Sequence, residues 1–148
     1  MLPAVQYSVR VPVSVDDAFH AFQDLNRFLN RGVYDAAAWV EGQPWQVGSR
    51  LRFSILQPRR GTISAVVTAI SPPRSIDLIY HGLEVTGEYH VTFGPDLTGG
   101  TRIRASINLI GRTKDMSEAE LHKLVTFLMK DGIDSVAAFC QGKRAESA

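Results

Sequence analysis

The chain has 148 residues, 45% of them hydrophobic and 21% charged, and 16 Lys and Arg against 15 Asp and Glu leave a net charge of +1. This composition excludes a disordered chain, and so small a net charge excludes a global field that would recruit nucleic acid or an anionic membrane. We expect one domain over 1–148, long enough to bury a core without disulfide or metal staples.

The N-terminal residues MLPAVQYSVR lack a basic stretch and a long apolar run. No run of about 18 apolar residues occurs anywhere, so stable membrane insertion is not expected and a cytoplasmic location is. The first element is a strand over residues 5–11, in which Val5, Tyr7, Val9 and Val11 alternate with Gln6, Ser8 and Arg10. Pro12 ends it. Ser14 and Asp17 form a capping box for a short helix that buries Ala18, Phe19 and Phe22, and residues 25–31 add a second short helix offering Phe28 and Leu29 inward before Gly32.

From Asp35 to Leu109 the period is two. Trp39 lies in a short strand, and a turn between Gly42 and Gly48 carries Pro44 and Trp45. Strands follow at 49–57, 62–70, 75–81, 83–93 and 101–110, separated by Pro58-Arg59-Arg60-Gly61, by Ser71-Pro72-Pro73-Arg74, by Gly82 and by the hairpin loop Pro95–Gly100. Hairpins in succession imply an antiparallel sheet with one dry face. The last element is a helix from Ser117 to about Gly142, capped by the pair Ser117 and Glu120. Its apolar stripe runs through Leu121, Leu124, Val125, Leu128, Gly132, Val136 and Phe139. At 1.5 Å per residue it is a rod of roughly 38 Å, long enough to cover a wide sheet face. The expected architecture is α+β: a curved antiparallel sheet of about seven strands wrapped around the C-terminal helix.

The order of elements, the segment Trp39…Gly42-Gln43-Pro44-Trp45-Gln46-Val47-Gly48-Ser49, the Ser71-Pro72-Pro73-Arg74 break and the terminal helix resemble the helix-grip (SRPBCC) superfamily. That superfamily includes START domains, polyketide cyclases and the birch-pollen allergen type, and the likeness covers nearly the whole chain. It implies a deep apolar cavity between sheet and long helix, entered near the short helices and the strand loops. It does not fix function, since the same scaffold hosts carriers, cyclases, dehydratases, hormone receptors and co-chaperones.

Alternation assigns residues to the cavity face: Tyr7, Phe53, Tyr80, Tyr89 and Ile107 from the sheet, and Leu121, Val125, Leu128 and Gly132 from the helix, with Trp39 and Trp45 each as lid or core. Two strand registers stay open. In 62–70 the inward set is Val67 or else Val66 and Ile70, and a slip in 75–81 would turn Asp77 and His81 inward. Gly132 costs about 0.8–1 kcal/mol relative to Ala in a helix interior, which close packing or room for a ligand would offset. Gly87 either enlarges the same space or marks a bulge.

Candidates for catalysis are His81, Tyr80 and Asp77, with Tyr89 beside them. His90 and Glu88 are expected to meet Arg102 or Arg104 as surface pairs. No metal ligand spacing and no cofactor motif occurs, so neither metal nor cofactor is expected. Cys140 lies about 100° from the stripe centre and reads as a small packed thiol. Three functions follow. The first is a module binding a small apolar or amphipathic molecule, lipid or polyketide-like, oriented by Tyr7, Tyr80 and Tyr89. The second is a cyclase or dehydratase. The third is an interaction module with an apolar patch at Phe127 and Ile133, which would equally support a homodimer.

Overall fold

The computed structural model describes residues 5–25, 29–57, 59–83, 85–112 and 117–147. Strand β1 (Val5–Val11) leads into helix α1 (Val15–Gln23). Strands β2 (Tyr34–Glu41), β3 (Arg50–Ile55), β4 (Gly61–Ser71), β5 (Ser75–Gly82), β6 (Val85–Pro95) and β7 (Thr101–Arg112) follow, and helix α2 (Glu118–Ser147) ends the chain. The sheet order is β1-β7-β6-β5-β4-β3-β2, antiparallel throughout. Because β1 returns to pair with β7, placing Val5 opposite Ile107 and Val9 opposite Ile103, the first two strands occupy opposite edges. Residues 12–33 link those edges.

Helix α1 starts where its cap chemistry allows. Ser14 Oγ accepts the Asp17 N–H at 3.1 Å, and Asp16 and Asp17 sit at the positive end of the helix. Its apolar side drives Phe19 and Phe22 edge-on against Phe93 of β6, with ring centroids 5.3 and 5.7 Å apart. Of the second short helix expected at 25–31, residues 26–28, Phe28 among them, lie outside the described residues; Leu25 and Leu29 are buried, and 29–31 are not helical.

The dry face keeps the expected phase. Ala65 and Val67 of β4, Ile76 and Leu78 of β5, and Val85, Val91 and Phe93 of β6 are buried, and a bulge between Val67 and Ala69 re-phases the end of β4. Two expectations about α2 are corrected. The helix continues to Ser147 instead of stopping at Gly142, since the residues after that glycine are mostly good helix formers. Its buried stripe is also turned: Ile133 and Cys140 are fully buried with Leu121, Val125, Met129 and Val136, while Leu128 and Phe139 are only partly covered. A 3.6-residue period fixes the existence of a stripe more firmly than its centre. Here α2 leans on β1 and α1 and leaves the flank of Leu128 and Gly132 facing a gap. Neither described helix is long and apolar enough to cross a membrane.

Candidate functional site

That gap is a cavity of about 120 Å³ between the sheet and the N-terminal half of α2. Phe53, Ile63, Ala65, Leu78, Tyr80, Tyr89 and Ile107 form its sheet wall. Leu124, Val125, Leu128, Met129 and Gly132 form its helix wall. Phe22, Leu25, Leu29 and Trp45 close one end, and Tyr34 joins Leu83 and Val85 of the β5–β6 turn on the rest. Among the described residues no charged side chain lines it.

Trp45 is held by the turn that leads into β3. Ser49, buried, donates its hydroxyl to the Gln43 carbonyl at 2.6 Å, and a Cβ on Gly42 would lie 2.4 Å from that hydroxyl oxygen. Gly42 at φ +77° therefore lets the turn close over Ser49. Within it Trp45 takes φ 61°, uncommon for so bulky a residue, and its indole N–H donates at 3.0 Å to the carbonyl of Gln23, the last residue of α1. Its ring lies against Phe22 at 6.0 Å. The turn thus anchors α1 and supplies one cavity wall. Leu83, at φ 52°, is the other non-glycine residue with positive φ among those described, and it also lines the cavity.

Three phenols supply the polarity. Tyr34 donates to the Leu128 carbonyl at 3.4 Å, and a Cβ on Gly132 would sit 4.0 Å from its hydroxyl. The rings of Tyr80 and Tyr89 meet edge to face at 6.4 Å. Gly87 has no side chain where Tyr80 passes: a Cβ there would be 3.1 Å from the Tyr80 hydroxyl and 3.2 Å from Ile107. It lies beside a register shift between Thr86 and Gly87, so close approach and bulge coincide. Among the described residues neither the Tyr80 nor the Tyr89 hydroxyl has a hydrogen-bond partner. Burial, foremost, pushes all three phenols above their ordinary value, helped by Asp131 at Tyr34 and by neighbouring phenols at Tyr80 and Tyr89. They stay neutral and able to donate. Asp131 Oδ1 accepts from Asn30 at 3.0 Å, while its Oδ2 is buried without a partner among the described residues.

Of the residues expected at the cavity, Phe53, Tyr80, Tyr89, Ile107, Val125, Leu128 and Gly132 line it. Three do not. Tyr7, near the sheet edge, donates to Asp134 at 2.5 Å beside Lys130, because α2 runs over β1 there; the hydrogen bond, then burial, raises its pKa. Trp39 is replaced by Trp45, against whose ring it packs at 5.1 Å. Leu121 is fully buried, one turn before the wall begins. The catalytic candidates separate as well. Asp77 and His81 alternate with Leu78 and Tyr80 and therefore face outward, where His81 bonds Thr86 and Asp77 bonds His90. His90 thus meets Asp77, not Arg102 or Arg104, and Glu88 stands opposite Asn108; Arg102 bonds Asp96 at 3.0 Å. Tyr34 was not anticipated, although Val33-Tyr34 is an apolar pair just before the expected strand. Among the described residues no three His, Cys, Asp or Glu side chains gather as metal ligands would.

No protein-family model matches the chain. No curated protein matches it either. Solved structures do. The crystal structure of Ara h 8.0201 superposes with a TM-score of 0.76 at 14% identity, covering 95% of this chain and 98% of that one. SA2116 of Staphylococcus aureus, a protein of unknown function, gives 0.70 at 13% identity over 98% and 97%, and CV1439 of Chromobacterium violaceum gives 0.68 at 10% over 93% and 96%. The protein has the helix-grip fold of the Bet v 1 and START type, a seven-stranded antiparallel sheet gripping a long C-terminal helix.

Proposed function

We propose that the protein is a binding module that encloses a small apolar or amphipathic molecule between the sheet and α2. The observation that carries this reading is a mostly hydrocarbon cavity, uncharged among the described residues and lined by Tyr80 and Tyr89, whose hydroxyls have no protein partner among those residues. Buried polar groups are normally paired, so a molecule in the cavity has hydrogen bonds to gain there. At about 120 Å³ the space is somewhat smaller than the apolar cavity of about 150 Å³ that accommodates benzene, so a short chain fits it and one ring fits with a small outward shift of the walls. A lipid or a polyketide of several rings would need the walls to part.

A cyclase or dehydratase needs an acid or base within reach of a carbonyl. With Asp77 and His81 on the outer face, that reading rests on Tyr80 and Tyr89, which are proton donors and poor bases. The interaction-module and homodimer readings lose Ile133, which is fully buried; Phe127 remains exposed. Native mass spectrometry of the purified protein, beside a denatured control, tests the binding reading. A small molecule released on denaturation supports it. An empty protein that no lipid or flat aromatic stabilises in a thermal-shift screen contradicts it.

A further inference from the structure

We propose that the cavity selects a neutral, one-ring molecule carrying a carbonyl or similar hydrogen-bond acceptor, and rejects a carboxylate of the same size. This rests on the binding reading above.

Tyr80 and Tyr89 come from neighbouring strands and meet edge to face on the wall, and their hydroxyls are unclaimed among the described residues. An acceptor atom that reaches either hydroxyl takes a hydrogen bond there, while Leu128, Val125 and Phe53 cover the hydrocarbon part. Tyr34 competes less, because its hydroxyl already donates to the Leu128 carbonyl.

Among the described residues no lining side chain could neutralise an anion. The charge that acts on Tyr34 is that of Asp131, and it is negative. Arg59 donates to the Leu83 carbonyl at 2.9 Å, but it is exposed and does not line the space. A carboxylate would therefore shed its water without a counter-ion, a cost that far exceeds what two phenols return. A neutral ketone sheds little and recovers it from the donors. A ligand with no acceptor would leave both hydroxyls enclosed and unpaired, the situation that lets polar sites reject analogues lacking a polar group.

The test is isothermal titration with three ligands of matched shape: acetophenone, ethylbenzene and benzoate. Acetophenone is expected to bind about three- to tenfold more tightly than ethylbenzene, although its carbonyl gives up more water, and benzoate about a hundredfold more weakly than acetophenone. Tyr80→Phe/Tyr89→Phe, which keeps both rings, should make ethylbenzene the tighter ligand of the pair. If the double variant does not fold, each single variant should lose about threefold for acetophenone and nothing for ethylbenzene. Ethylbenzene preferred by the native protein, benzoate bound as tightly as acetophenone, or an order unchanged in the Phe variants overturns the selection and leaves the cavity as a binding site. Failure of all three ligands to bind overturns the binding reading with it.

Discussion

The hydroxyl of Tyr34 lies 4.0 Å from the point where a Cβ on Gly132 would stand, and it reaches over that glycine to the carbonyl of Leu128 at 3.4 Å. Gly132 is thus the place on α2 where a β-strand residue comes down onto the helix and where the cavity has its helix-side depth. A methyl group there meets ordinary van der Waals distance and no backbone strain.

Gly132→Ala should therefore raise the stability of the protein by about 0.5–1 kcal/mol, the usual gain for a helix-interior glycine. Gly132→Leu should fill the cavity and abolish ligand binding. Urea denaturation midpoints and a binding titration on the same samples check both. A destabilised alanine variant would mean that the glycine is needed for close packing, and an unimpaired leucine variant would remove α2 from the site.

Trp45 lines the cavity and Trp39 stands behind it, and these are the two tryptophans of the chain. A ligand entering the cavity should change the fluorescence of Trp45. The change should vanish in Trp45→Phe and survive in Trp39→Phe. Trp45→Phe should also cost about 1–2 kcal/mol, since the Gln23 carbonyl at the end of α1 loses its indole donor.

All four tyrosines are held above the ordinary value of 10.0, Tyr34, Tyr80 and Tyr89 mainly by burial and Tyr7 mainly by its hydrogen bond to Asp134. A raised folded value means that the neutral phenols contribute stability that is complete below the unfolded value and is lost as pH climbs above it. The native protein should show little tyrosinate absorbance at pH 10, and the absorbance should rise together with loss of circular dichroism. Tyrosinate appearing in the folded protein near pH 10 in excess of what Tyr7 alone can supply, as read in Tyr7→Phe, would contradict the enclosure of Tyr80 and Tyr89.

At the opposite pH extreme, Asp96 closes the β6–β7 loop. Thr98 donates to it from both hydroxyl and backbone, and Arg102 adds a hydrogen bond and charge, so that its pKa falls from 3.8 to about 2. The depressed value contributes stability above the ordinary pKa that is lost as pH falls toward about 2. Asp96→Asn should flatten that part of the acid denaturation profile. A profile identical to the native one would remove Asp96 from the loop's support.

The sheet wall was legible wherever alternation was clean: Tyr80 and Tyr89 stand on strands whose neighbours alternate, and one phase follows from another. Tyr34 escaped because β2 does not alternate. Register shifts after Tyr34 and after Trp39 bury Tyr34 and Ala37, three residues apart, and no period of two finds both. That Trp45 and not Trp39 lines the cavity depends on a turn conformation with positive φ that its residue type does not announce. The stripe of α2 was visible as a stripe. Whether Gly132 or Ile133 lies at its centre is decided by where β1 and α1 support the helix, a tertiary contact without a local signal. The same limit applies to Tyr7, whose strand phase was right and whose place beneath α2 was not.

Uptake of a small molecule into the space between the sheet and α2 is read by a nuclear magnetic resonance titration of the isotope-labelled protein with acetophenone. Saturable shifts are expected at Tyr34, Tyr80, Tyr89, Leu128 and Gly132, with Asp77, His81 and Phe127 unmoved. Saturation with shifts confined to the outer face, or no shift at the cavity residues, would contradict it.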